Sequence, residues 1–139
     1  MLRRLNLRLT LVALLLLAFA AVLISREHRP SFLRPGLRLH AYVSSSTAGT
    51  VTVVDLVSLS AISTVPVGPS PSGLRAHPTR NEVWGVSTAE SFVWILDTVS
   101  LQVVARIPVG SSPFALDFSP DGSRAFVAAS GSNQLLVLD

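Results

Sequence analysis

Cysteine is absent from this sequence. Its absence excludes disulfide bridges, thiolate zinc sites, covalent haem attachment and a lipid anchor on cysteine within the chain. Four motifs are also missing: Cys-x-x-Cys-His, His-Glu-x-x-His, a glycine-rich phosphate loop and a Ser-His-Asp arrangement at a workable spacing. We therefore predict no catalytic residue, no cofactor-binding residue, no metal ligand and no cofactor.

Charge is distributed unevenly along the chain. The leader, residues 1–38, holds most of the basic side chains, all of them arginine, and a single acidic one, Glu27. From residue 39 onward, four arginines stand against seven acidic side chains, so the basic character belongs to the leader. The later part has neither an arginine cluster nor alternating aromatic and basic residues, which argues against a nucleic-acid partner.

An uncharged apolar segment begins at Leu9 and ends at Ser25. As a helix it would be about 26 Å long, close to the roughly 30 Å of a bilayer's hydrocarbon core. We expect residues 1–25 to form a membrane anchor. A cleaved signal peptide stays open, because Ala18-Phe19-Ala20 is a small-residue pattern that suits signal peptidase.

Residues 26–38 combine arginines with prolines and show no apolar period, which predicts a linker next to the membrane. Arginines flank the apolar segment on both sides. Charge alone therefore leaves the orientation in the membrane open.

Residues 39–139 contain a repeat with one fixed spacing. The motif Val-Pro-Val-Gly at 65–68 returns as Ile-Pro-Val-Gly at 107–110. An aspartate recurs at the same spacing, as Asp55, Asp97 and Asp139. A large aromatic residue also recurs, as Tyr42, Trp84 and Phe126. Chance matches would scatter over many spacings, so this single spacing predicts a repeat architecture.

Each period divides into four short strands separated by turn residues. In the middle copy we predict strands around 75–77 and at 82–86, 92–97 and 102–109. Four antiparallel strands over about 40 to 45 residues match one propeller blade, which buries its faces against its neighbours. The predicted fold class is all-β, a partial β-propeller of four-stranded antiparallel blades behind one N-terminal transmembrane or signal helix.

The recurring residues are interpreted as structural. Asp55 and Asp97 each end a strand and can accept backbone N–H groups two residues on, whereas acid–base catalysis needs a unique converging pair. Asp121-Gly122 predicts a tight turn, with positive φ at the glycine. The aromatic column is expected to pack between blades. Trp94 is not repeated, which allows it an exposed position.

Several segments resemble the YVTN β-propeller repeat. They are Ala41-Tyr42-Val43-Ser44-Ser45, Val51-Thr52-Val53-Val54-Asp55, Val65-Pro66-Val67-Gly68 with Pro71-Ser72-Gly73, and Ser119-Pro120-Asp121-Gly122 with Phe126-Val127. The middle copy departs from the pattern with Trp84-Gly85-Val86-Ser87 in the name strand and His77-Pro78-Thr79-Arg80 at the Pro-Asp-Gly turn. The resemblance covers about residues 40–139.

The resemblance implies a prokaryotic, typically seven-bladed propeller that is often exported. For this chain it implies a periplasmic or cell-surface location, with the N-terminal helix as an inner-membrane anchor. The chain is also similar to the propellers of cytochrome d1 and of lactonase-like proteins. It accounts for about 2.4 blades, whereas propellers close with four to eight. We expect either a fragment or a chain that needs remaining blades or other copies.

The leading functional hypothesis is a non-enzymatic, extracytoplasmic binding or scaffold module for a protein or small-molecule ligand. The alternative is a fragment of a propeller enzyme or redox subunit, with its site at the central channel. Four polar residues are candidates for the rim of that channel: His40, Arg75, His77 and Arg80. For His77, which precedes Pro78, a turn role is the simpler interpretation.

Overall fold

The computed structural model describes residues 39–139. The predicted leader at 1–25 and linker at 26–38 lie outside the described residues. Within residues 39–139, no helix is long and apolar enough to cross a membrane. Among these described residues, a single 3-10 turn, Ser130–Ser132, lies between the last two of ten strands. The strands are β1 (His40–Ser45), β2 (Thr50–Asp55), β3 (Ser60–Pro66), β4 (Pro71–Ala76), β5 (Glu82–Ser87), β6 (Phe92–Asp97), β7 (Gln102–Pro108), β8 (Pro113–Phe118), β9 (Ala125–Ala129) and β10 (Gln134–Leu138).

The strands form three antiparallel sheets in chain order. The first sheet is β1-β2-β3, the second is β4-β5-β6-β7 and the third is β8-β9-β10. By the spacing of the repeat, the first sheet contains strands two to four of the repeat and the third contains strands one to three. The four-stranded period is therefore confirmed by the second sheet. Its first strand begins at Pro71, earlier than the predicted 75, because the paired segment extends across Pro71-Ser72-Gly73.

The second sheet is buried on both faces, since the other two sheets cover it. Val83 and Trp94 pack into a first core, shared with Val51 and Val65 of the first sheet. Trp84 and Val93 pack into a second core with residues of the third sheet. Neighbouring residues of a strand point to opposite faces, so β5 and β6 bury almost every side chain.

Backbone irregularities follow the same period as the sequence. The register shifts between Val53 and Val54 in β2, and again between Ile95 and Leu96 at the equivalent position of β6. Positive φ recurs at three equivalent turn positions, occupied by Gly49, Ser91 and Asn133. The backbone conformation therefore repeats at these positions even though the residue type does not.

Leu59 and Leu101 are equivalent leucines with φ of 55° and 56°. A left-handed conformation costs a residue with a side chain about 1–2 kcal/mol, and glycine loses about 0.5–1 kcal/mol more than alanine in backbone entropy. Leu59 is 79% exposed, so Leu59→Gly is expected to raise the free energy of unfolding by about 0.5–1 kcal/mol. Leu101 packs against the first core, so Leu101→Gly should lower it. Denaturant unfolding followed by circular dichroism measures both, and a loss of stability in Leu59→Gly would contradict the strain argument.

Trp94 is fully buried in the first core. The sequence allows this non-repeated residue an exposed position, and that interpretation is wrong. It lies across from Gly85 in the β5–β6 pairing. A Cβ on Gly85 would overlap the indole ring at Cζ2. The glycine that departs from the YVTN pattern is therefore required by the tryptophan that covers it.

A candidate binding cleft between the second and third sheets

A cleft of about 480 Å³ opens where β4 turns into β5 and β8 turns into β9. Its apolar wall includes Trp84, Phe118 and Ile95, and its polar side includes His77 and Arg80. The volume falls within the roughly 300–1,000 Å³ of small-molecule pockets. His77 and Arg80 are two of the channel-rim candidates that the sequence indicates, and the structure brings these two together in the cleft.

The imidazole of His77 holds the β4–β5 turn in place. His77 is buried, and its Nδ1 accepts the backbone N–H groups of Thr79 at 3.2 Å and Arg80 at 3.0 Å. These bonds support the turn role that the sequence indicates.

Arg80 extends from that turn over the wall of the cleft. Its Nε–H donates to His77 Nε2 at 2.9 Å, and the same nitrogen lies 3.4 Å from Glu82 Oε2. The guanidinium carbon lies 5.7 Å from the centre of the Trp84 ring, within cation–π range. Glu82 also accepts the indole N–H of Trp84 at 2.8 Å.

Aromatic contacts fix the position of the imidazole. The ring centres of Phe118 and His77 are 4.8 Å apart, and Phe118 meets Trp84 edge-on at 5.2 Å. Gly122, with φ of 72°, closes the far side. A Cβ there would lie 2.6 Å from His77 Cε1, so a side chain at this position would push the imidazole out of place.

The other two rim candidates lie elsewhere. Arg75 on β4 reaches Asp117 on the neighbouring β8, with Nε 3.4 Å from Oδ1 and both side chains more than half exposed. Exposed pairs of this kind contribute about 0–1 kcal/mol. His40 lies on the first sheet, 6.5 Å from the Tyr42 ring and opposite Asp55 in the strand register. Neither contributes to the cleft that contains His77.

Two of the recurring aspartates, Asp55 and Asp97, bind their own turns, as the sequence predicts. Asp55 accepts the backbone N–H of Val57 at 2.6 Å, and Asp97 accepts that of Val99 at 3.0 Å. Hydrogen bonds from Ser58 and Val57 lower the pKa of Asp55, and the backbone and hydroxyl of Ser100 lower that of Asp97. These carboxylates are stabilised as anions and are not poised for proton transfer at neutral pH.

Asp121, which lies outside the recurring column, is also bound by its own turn. The hydroxyl of Ser119, followed by the N–H and hydroxyl of Ser123, lowers its pKa to about 2. A depressed pKa favours the folded state above the ordinary value of 3.8, and this contribution is lost as the pH falls toward about 2. In Ser119→Ala the NMR titration midpoint of Asp121 should move up toward its ordinary value. Asp97 serves as the internal control, and an unmoved Asp121 midpoint would show that Ser119 is not the cause.

Sequence reasoning missed Phe118 as part of the cleft. It also missed Glu82 as the partner of Arg80 and of the Trp84 indole N–H. The repeat contains a signal for them, because the residue type changes between equivalent positions: Phe118 replaces Ala76 of the preceding copy, and Glu82 replaces His40. Ser119 likewise replaces His77. The cleft is thus built where the copies differ. Within residues 39–139, no three His, Asp or Glu side chains are grouped to hold a metal ion.

No protein-family model matches the chain, and no curated protein matches it either. Solved structures do. Hydrazine synthase from Kuenenia stuttgartiensis superposes with a TM-score of 0.69 at 26% identity, over 72% of this chain and 29% of that one. The dihydro-heme d1 dehydrogenase NirN, in complex with DHE, gives 0.65 at 28% identity, over 80% of this chain and 24% of the other.

A protein of unknown function from Desulfotomaculum acetoxidans gives a TM-score of 0.60 at 16% identity, over 72% of this chain and 37% of that one, and supports the fold alone. This chain therefore spans between about a quarter and two fifths of the length of the proteins it is similar to. The three stacked antiparallel sheets and these neighbours agree with part of a β-propeller.

Proposed function

We propose that residues 39–139 are blades of a YVTN-type β-propeller that acts outside the cytoplasm as a binding and scaffold module. The observation that supports this most is how the polar groups are used. Asp55, Asp97 and Asp121 are bound by their own turns. His77 and Arg80, by contrast, line a cleft between blades. A regular stack of blades with a cleft lined by non-repeating residues suits the binding of a ligand.

The apolar segment ending at Ser25 is proposed to hold this module at the inner membrane, with residues 26–38 as a tether. The blades would then face the periplasm or the cell surface. Protease added to intact cells, and separately to spheroplasts, tests this placement through an epitope tag after Asp139. Protection in spheroplasts, with cleavage only after lysis, would rule out the extracytoplasmic location.

The partners of the outer sheets are proposed to be further blades of the same repeat, either later in the parent protein or in other copies. Phe126 and Ala128 on the third sheet are the counterparts of Trp84 and Val86, which the next sheet buries. Leu135 on the same sheet is 68% exposed. Sedimentation of the purified full chain tests association, since a compact monomer that unfolds cooperatively would oppose it.

A propeller enzyme or redox subunit is the second candidate. It is favoured by two neighbours at 26% and 28% identity, whose names are those of a hydrazine synthase and a heme d1 dehydrogenase. A visible absorption spectrum of the intact parent protein separates the two candidates. A stoichiometric chromophore would support the redox subunit, and a transparent, inactive parent would support the binding module.

A further inference from the structure

We propose that one end of the blade stack rests on the surface of a lipid bilayer, with exposed apolar turns as its contact. The contact residues lie in two equivalent turns or where the chain enters the first sheet, and their side chains are exposed. They are Leu39, Leu56, Val57, Leu59 and Val99, together called the apolar end. This inference rests on the membrane anchor proposed above and adds a second contact with the same membrane.

The apolar end lies on a single side of the stack. Neighbouring strands of each sheet run antiparallel, so the start of β1, the turn after β2 and the turn after β6 lie at corresponding ends of their sheets. The hydroxyl of Ser72 donates to the carbonyl of Phe114, its counterpart in the next copy, at 3.3 Å. Successive sheets therefore stack with equivalent ends on the same side.

The opposite end has a different composition. Its turns follow β1, β3, β5, β7 and β9, and within residues 39–139 none of them carries a large apolar side chain that is exposed. Small and polar residues prevail there, as in Ser46-Thr47-Ala48-Gly49 and Thr88-Ala89-Glu90-Ser91. Single exposed apolar side chains are common on soluble proteins, whereas grouped ones mark interaction sites. The asymmetry between the two ends therefore indicates an interaction surface at the apolar end.

Leu59 shows that the apolar end is costly while it faces water. Its φ of 55° is left-handed, a conformation that glycine, asparagine and aspartate adopt more easily than leucine. At the opposite end, Gly49 and Asn133 occupy such positions. The Leu59 side chain is also 79% exposed, so packing within the stack does not offset the strain. Burial of this leucine among lipid chains would offset it.

The chain enters the stack at the apolar end, which favours lipid as the partner. Leu39 precedes β1, and its carbonyl accepts the N–H of Leu56 at 2.9 Å. Residues 26–38 join the stack at this point and reach about 45 Å at most, so they keep the apolar end near the segment that ends at Ser25. Tethering raises the effective concentration for a second contact. A shallow apolar surface is then sufficient for binding.

The charges at this end are compatible with a bilayer surface. Each acidic side chain is already bound within the stack: turn N–H groups bind Asp55, Asp97 and Asp121, and arginines pair with Glu82 and Asp139. Residues 26–38 add four arginines and one glutamate next to the apolar end. Arginines in such segments attract lipid phosphate groups. The apolar turns therefore supply the insertion, and the tether supplies the attraction to head groups.

Single introduced cysteines can be labelled in the full chain, because it has no cysteine of its own. Val99→Cys and Ala89→Cys place a nitrobenzoxadiazole fluorophore in exposed turns at the two ends of β6. Each protein is reconstituted into phosphatidylcholine nanodiscs with and without doxyl-labelled lipid. We expect the doxyl lipid to lower the fluorescence of the Val99 label by about twofold or more and to leave that of the Ala89 label nearly unchanged.

Leu59→Gln tests whether the exposed leucine makes the contact. In the Val99→Cys protein it should reduce the quenching by about half or more, because a polar side chain enters the lipid interface less favourably. Leu135→Gln is the matched control, since Leu135 is 68% exposed but lies on β10 and not in a turn of the apolar end. This control should leave the quenching unchanged.

Equal quenching of the Val99 and Ala89 labels, an unquenched Val99 label, or equal effects of the two glutamine substitutions would overturn the proposal. A Val99 label that ignores the doxyl lipid but changes its fluorescence with protein concentration would assign the apolar end to a second copy of the chain. Flotation of the chain with vesicles at alkaline pH reports on the anchor separately. A chain that floats with an unquenched Val99 label keeps the anchor and loses the surface contact, whereas a chain that does not float loses both.

Discussion

Gly85→Val is expected to lower the free energy of unfolding of the full chain by about 3 kcal/mol, the upper part of the range for overpacked cores. A single Cβ at this position already overlaps the indole of Trp94. Trp94 cannot retreat, because it is fully buried among Val51, Val83 and their neighbours in the first core. The added valine must therefore separate the first two sheets or force the indole from its rotamer.

The other two sheets show how the defect should be repaired. The positions equivalent to Gly85 and Trp94 are Val43 opposite Thr52 in the first sheet, and Val127 opposite Leu136 in the third. Trp94→Leu alone should cost about 2–4 kcal/mol through the cavity it leaves. Combined with Gly85→Val it recreates the pair of the third sheet, so the double variant should be more stable than the sum of the two losses by about 1–3 kcal/mol.

Denaturant unfolding of the four proteins, followed by far-ultraviolet circular dichroism, completes the double-mutant cycle. Trp94→Phe is a useful fifth protein. The indole N–H of Trp94 has no hydrogen-bond partner among the described residues, so losing it removes a buried unsatisfied donor. Its cost should be smaller than that of Trp94→Leu. Strictly additive losses for Gly85→Val and Trp94→Leu would contradict the pairing argument.

The propeller strands can be predicted from the sequence because the same turn chemistry recurs at one spacing. Asp55 and Asp97 mark the ends of equivalent strands and bind equivalent turns. Pro66 and Pro108 end the edge strands of the first two sheets, as expected of a residue without an N–H donor. Periodicity in the sequence thus determines strand order and sheet membership.

Burial in the middle sheet cannot be predicted in the same way. A strand covered on both faces has no alternation of polar and apolar residues to reveal which side chains are deepest. The sequence therefore leaves Trp94 free to face solvent, although the first sheet covers it. Only half of the cleft is predictable: His77 and Arg80 stand out by chemical type, but Phe118 becomes part of the site only through packing between β8 and β5.

The aromatic column supplies the second large effect, because its three members occupy equivalent positions with different surroundings. Trp84 lies in the second core, so Trp84→Ala should lower the free energy of unfolding by about 3–5 kcal/mol. Phe126, the matched control, lies on the open side of the third sheet beside Leu135, which is 68% exposed. Phe126→Ala should cost no more than about 1 kcal/mol in the isolated monomer.

The same pair of variants tests what covers the third sheet. If another blade packs against Phe126, as the third sheet packs against Trp84, Phe126→Ala should leave the free energy of unfolding of the monomer nearly unchanged. It should weaken the association that sedimentation measures. Trp84→Ala should instead destabilise the monomer itself. Equal losses of monomer stability in the two variants would mean that position in the repeat, rather than coverage by the next sheet, decides what the aromatic residue contributes. The wedge between blades would then not be the source of their stability.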